Sequence, residues 1–131
     1  LPTPRSTRRF TGIDAAGLGL VILFALGMYA FRHYAIEPRA TVGLCAAANA
    51  PAFCGPRAAV LSLQYYQGFG WAALLLGLAA FFAGWRWAAI FAIAIGAAAV
   101  INYNATTGII GAALGLITWL SLATGRYQAS P

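Results

Sequence analysis

Apolar residues in this chain fall into four long runs, 12–31, 58–82, 87–101 and 106–122, divided by three breaks of which only one is long. Each run predicts a membrane-spanning helix, because backbone N–H and C=O groups in hydrocarbon must be satisfied within their own segment. The third and fourth runs lie near or below the usual minimum of about 17 residues for a span. They suit a tight hairpin whose ends lean on neighbouring protein or sit near the interface. The expected architecture is an all-α integral membrane protein. It is a single four-helix transmembrane domain over residues 1–131, with a polar arm at 1–11 and an outer loop at 32–57.

Composition agrees with that solvent. Hydrophobic residues make up 62% of the chain and the mean hydropathy is +0.79. A soluble domain carries roughly 45–50% apolar residues. Arg5, Arg8 and Arg9 before the first run resemble the start of a signal peptide. The run is too long, and too poor in a small-x-small cleavage site, for that reading to be preferred to a span. Leu1 in place of Met points to processing or to a preceding leader.

Charge orients the spans. All eight basic residues are Arg, against Asp14 and Glu37 as the acids, for a net charge of +6. The arginines are dispersed at run ends and form no stripe, which argues against nucleic acid as a partner. They suit snorkelling to anionic lipid headgroups. With the N-terminus in the cytoplasm, Arg5, Arg8, Arg9, Arg86 and Arg126 lie inside and Arg32, Arg39 and Arg57 outside, as the positive-inside rule prefers. Cys45 and Cys54 then fall in the outer loop, on the oxidising side where disulfides persist. The expectation is a bacterial inner-membrane protein with both termini cytoplasmic and a periplasmic loop clipped by a Cys45–Cys54 disulfide.

Local signals refine the elements. Asp14 falls in the first turn of the first helix, where a carboxylate complements the dipole and meets headgroups. Tyr29, Phe31, Arg32, His33 and Tyr34 close that helix as an interfacial group, and residues 42–50 suggest a short helix on the membrane surface. The second run is polar at Ser62, Gln64, Tyr65, Tyr66 and Gln67 and apolar from Trp71 onward. Trp85 and Trp87 in the inner turn read as an aromatic belt. In the outer turn Asn102 serves as a C-cap, with Thr106 or Thr107 as the next N-cap. Ala88, Ala92 and Gly96 recur every four residues on the third helix, and Gly111 and Gly115 form a GxxxG on the fourth. These are expected helix-packing ridges.

Candidate chemistry is sparse. The Cys45-x8-Cys54 spacing lacks the Cys-x-x-Cys of membrane thiol oxidoreductases, so a structural disulfide is expected. His33 is the only His, and with the cysteines it falls short of a metal site. It also lies at an interface rather than inside a helix, where a haem ligand would sit. Asp14 resembles the essential first-helix carboxylate of small four-helix drug/proton antiporters only in being an acid in a chain of that size; it lies at the helix start. The most suggestive group is on the outer side. There Gln64, Tyr65 and Gln67 face the level of Asn102 and Asn104, at a depth suited to mutual bonding, partner docking, or a quinone or lipid head.

No catalytic residue, cofactor or metal is expected from these features. The reading they favour is a non-catalytic accessory subunit packed against larger integral membrane subunits and lipids, in an energy-transducing, respiratory-type complex. Alternatives are a small homo-oligomeric transporter or channel and, behind it, a quinone-binding redox subunit.

Overall fold

A computed structural model describes residues 11–124. Helix α1, Gly12–Phe31, runs without a break into a π-wound turn, Arg32–Ile36; α2 is Arg39–Ala46, α3 Cys54–Tyr65, α4 Gly68–Ala83, α5 Arg86–Ile101 and α6 Ala105–Ala123. There is no strand among the described residues. Gly12–Ile36 and Ala105–Ala123 are each long and apolar enough to cross a membrane, and α3 with α4 would make a third span if the bent pair counts as one. Helix α5 is apolar but shorter, at 16 residues.

Helices α4, α5 and α6 form the tight centre of the molecule. Whatever solvent surrounds them, these helices approach one another through small residues that allow close van der Waals contact. Gly77 lies directly against the backbone of Gly111, and Gly111 in turn against the Ala73 carbonyl, leaving no room for a Cβ at either glycine. On the other flank of α6, a methyl at Gly115 would come 2.8 Å from the Ala89 carbonyl oxygen and 3.0 Å from the Ala92 methyl. Gly96 of α5 meets Ala112 and the Gly108 carbonyl. Ala88 and Ala92 are both buried. The small residues of α5 and α6 therefore face one another inside this chain, and Gly111 adds α4 to the contact.

Helix α1 packs at the edge of this trio, against α5. Its inward stripe is narrow. Gly17 admits the Ile90 side chain and the edge of the Trp119 ring, and only Asp14 and Gly17 of α1 are buried.

The expected continuous span at 58–82 is not one helix. Helices α3 and α4 meet at 69°. Tyr66 ends α3, and Gln67 takes a left-handed backbone, φ 58°, that turns the chain into α4. The break falls where the run changes from polar to apolar. Helix α3 carries Arg57, Ser62 and Gln64 and has no buried residue, so nothing favours driving it along the bundle axis. The expected surface helix at 42–50 forms earlier, at Arg39–Ala46. Pro38 fixes the backbone entering it, and its carbonyl accepts the Thr41 hydroxyl at 2.7 Å. The Cys45–Cys54 disulfide is formed and ties α2 to the start of α3.

Candidate functional site

Two clusters of polar side chains form among the described residues, one at each end of the first helix. At its start, Thr11 precedes the helix and its N–H donates to Asp14 Oδ2 at 2.8 Å, satisfying one of the orphan amides of a helix N-terminus. The other carboxylate oxygen turns inward. Trp119 Nε1 donates to Asp14 Oδ1 at 2.6 Å, and Arg86 Nε lies 3.4 Å from the same atom. Arg86 opens α5 and Trp119 stands near the end of α6, so this carboxylate links three helices. Asp14 is 0% exposed. The expectation that it meets headgroups is thus corrected: it is the hub of a closed cluster, because Trp119 and the Thr11 N–H supply the donors, and Arg86 the counter-charge, that water or lipid would otherwise provide.

At the other end of α1 the hub is Arg32, 9% exposed. Its Nη1 donates to Gln64 Oε1 at 2.8 Å and to Asn102 Oδ1 at 2.9 Å. Its Nε lies 3.3 Å from Glu37 Oε1, and its guanidinium sits 4.5 Å from the centroid of the Tyr103 ring. Asn102 is buried, and its Nδ2 donates to the Ala98 carbonyl at 2.8 Å, so the residue that ends α5 also aims its oxygen at Arg32. Tyr103 adopts φ 63°, a left-handed conformation uncommon for a bulky residue. That conformation, set between two short-range turns, brings the ring over the guanidinium. Arg32 therefore does not snorkel to headgroups as its place at a run end suggested. The amides around it are close enough to hold its charge inside the bundle.

The outer polar residues separate into two groups. Gln64, Asn102 and Asn104 come together: Asn104 Nδ2 donates to the Gln64 carbonyl at 3.1 Å and to that of Asn102 at 3.3 Å. Tyr65 and Gln67 do not join them. Tyr65 is exposed and packs edge-on against Tyr66, while Gln67 forms the corner between α3 and α4. Thr106 and Thr107 do not cap α6, which begins at Ala105 after Asn104. The buried Thr107 hydroxyl has no hydrogen-bond partner among the described residues, and neither has Asn104 Oδ1. His33 stays exposed, stacked on Tyr29 and edge-on to Tyr34; Glu37 pairs with Arg32 rather than with His33.

A cleft of about 270 Å³ opens beside Arg32, lined by Tyr29, His33, Glu37, Ile101 and Tyr103. Among the described residues, no three His, Cys, Asp or Glu side chains gather as a metal-binding group. No family model, no curated protein and no solved structure matches the chain.

Arg32, Arg86 and Trp119 are the central residues that reading the sequence missed. A signal existed for one of them. A lone acid inside an apolar run demands a partner, and Arg86, on the same predicted side as Asp14, was the available cation. Trp119 gave none, since 105 residues separate it from Asp14.

Proposed function

We propose that this chain is a non-catalytic membrane subunit of four spans, α1, α4, α5 and α6, that packs against a larger integral membrane assembly. The two polar clusters support four spans. Asp14 and Arg32 lie 18 residues apart on α1, roughly 27 Å at 1.5 Å per residue, close to the roughly 30 Å of a hydrocarbon core. Helices α4 and α5, 16 residues each, cover about 24 Å of the same interval. Helix α3, bent away at 69°, lies along the surface at the Arg32 level. In this arrangement the disulfide-clipped loop faces an oxidising compartment, the periplasm of a bacterial inner membrane, and the termini lie in the cytoplasm.

One observation carries the subunit reading. Arg32, Glu37, Gln64 and Asn102 engage one another at one end of the first helix and Asp14, Arg86 and Trp119 at the other, while α1 leaves a continuous apolar face uncovered. Only 11% of its most apolar 18-residue stretch is buried, against 33% for α6. Leu18, Ile22, Leu26 and Tyr29 recur along that face and are all exposed. An energy-transducing, respiratory-type host fits a component that brings helices rather than chemistry. The test is extraction from the native membrane in mild detergent, followed by sizing under non-denaturing conditions. Migration in fixed ratio with larger integral membrane chains is expected. A lone 13.7 kDa chain, or an oligomer of this chain alone, would contradict the reading.

A further inference from the structure

A second surface of α1 is built differently. Leu23, Phe24, Gly27, Met28 and Phe31 form one wall of an open apolar groove, and Pro56 and Val60 of α3 form the other. Its volume is about 330 Å³, within the roughly 300–1,000 Å³ of ligand clefts. The groove exists because α3 is held beside α1 without packing on it. The Cys45–Cys54 disulfide fixes the start of α3, and Arg57 Nε donates to the Ala35 carbonyl at 3.0 Å. That carbonyl is among the last of the first helix, left without a helical donor as the chain turns through Glu37 and Pro38 into α2. Gly27 keeps the floor open: a Cβ there would meet nothing within 4 Å.

Charge identifies what fills it. Arg57 follows Pro56 at the polar end of the groove, and its bond to Ala35 uses Nε, leaving the two terminal nitrogens directed away from that contact. Glu37, the acid of this end, is paired with Arg32, so the charge of Arg57 beside Pro56 leaves this end of the groove positive. From Phe31 to Leu23 the groove descends roughly 12 Å along α1, toward the middle of the expected hydrocarbon layer. An apolar slot running inward from a cationic rim matches a molecule with an anionic head and an alkyl tail.

We infer that the groove between α1 and α3 is a binding site for one anionic phospholipid, with an acyl chain against Gly27 and the phosphate at Arg57. The site uses a face of α1 different from Leu18, Ile22, Leu26 and Tyr29. It therefore stands or falls separately from the subunit reading, sharing only the membrane location.

Native mass spectrometry of the purified, detergent-solubilised chain, titrated with phosphatidylglycerol or phosphatidylcholine, tests this. The wild-type chain is expected to retain one phosphatidylglycerol preferentially. Gly27→Trp fills the slot and should abolish retention of both lipids, whereas Gly19→Trp, at an equally open position of α1 outside the groove, should not. Arg57→Gln should keep acyl binding but reduce the preference for phosphatidylglycerol by roughly fivefold, the effect of one basic residue at an anionic surface. Lipid retention by Gly27→Trp equal to wild type would overturn the site. So would equal losses in Gly19→Trp and Gly27→Trp, or an unchanged headgroup preference in Arg57→Gln. A photoreactive side chain at Val60 that labels a protein helix rather than lipid would also overturn it.

Discussion

The α4–α5–α6 trio and helix α1 are joined to the same fold by opposite means. Within the trio the contacts are backbone on backbone: Gly77 on Gly111, Gly96 on Gly108, Gly115 on Ala89. Helix α1 instead sets the Gly17 backbone against the Ile90 side chain and the Trp119 ring, rests Leu20 and Val21 on the same cluster, and is fastened at its two ends by charged, amide and indole side chains. Both solutions would suit helices in lipid, where no hydrophobic drive brings helices together. The difference lies in what each leaves free. Close packing on several sides uses up the surfaces of α5. Two end clamps hold α1 in position while most of its circumference remains available.

The largest effect should come from attacking the trio. Gly111→Leu places a side chain where the Ala73 backbone stands, and overpacking of this kind should cost more than about 3 kcal/mol and prevent assembly. Ile109→Leu and Ile117→Leu, on the exposed side of the same helix, should behave as wild type in thermal unfolding in detergent. Equal behaviour of the two sets would mean that α6 is not close-packed.

Breaking the Arg32 clamp ranks next. Arg32→Met leaves Asn102 Oδ1 and Gln64 Oε1 without their donor, at a cost of about 3 kcal/mol. The loss should concentrate in α1: hydrogen exchange should rise there and stay unchanged in α5 and α6. A uniform rise across all helices would show that α1 and the trio unfold as one unit.

At the other clamp, Asp14→Asn should cost less, about 1–2 kcal/mol, because the amide oxygen can still accept from Trp119 while the ion pair to the partly exposed Arg86 is lost. Turnover of a host complex should then follow the amount of subunit assembled, and His33→Gln should have no effect. A variant that assembles fully yet loses most turnover would make Asp14 a chemical participant. The smallest effect is expected at the corner outside both regions. Gln67→Gly relieves a left-handed backbone and should stabilise by about 1 kcal/mol, read as a small rise in melting temperature.

Much of the fold was legible in the apolar runs. Hydrophobicity located α1, α5 and α6 to within a residue or two, since in each case helix and apolar run coincide. It failed at α3–α4, where a run that looked continuous changes character at Gln67. The break depends on a backbone conformation that Gln does not advertise as Gly would. The small-residue ridges could be read as packing surfaces, but whether Gly111 meets another part of this chain or another chain depends on tertiary arrangement. The polar clusters were half legible. Gln64, Asn102 and Asn104 were placed at one level by topology alone. The place of Arg32 at a run end predicts snorkelling to lipid, and only the fold shows that Asn102 and Gln64 reach it first.

On the proposed subunit reading, the uncovered face of α1 is where the chain would meet a larger integral membrane assembly. Site-specific photo-crosslinking in the native membrane tests it most directly, with the reactive side chain placed singly at Ile22 and Leu26 on α1 and at Ile109 and Ile117 on α6, all four exposed. Adducts to a larger integral membrane protein from Ile22 and Leu26, and none from Ile109 and Ile117, are the expected result. Adducts from α1 only to a second copy of this chain, or to lipid alone at all four positions, would contradict the account.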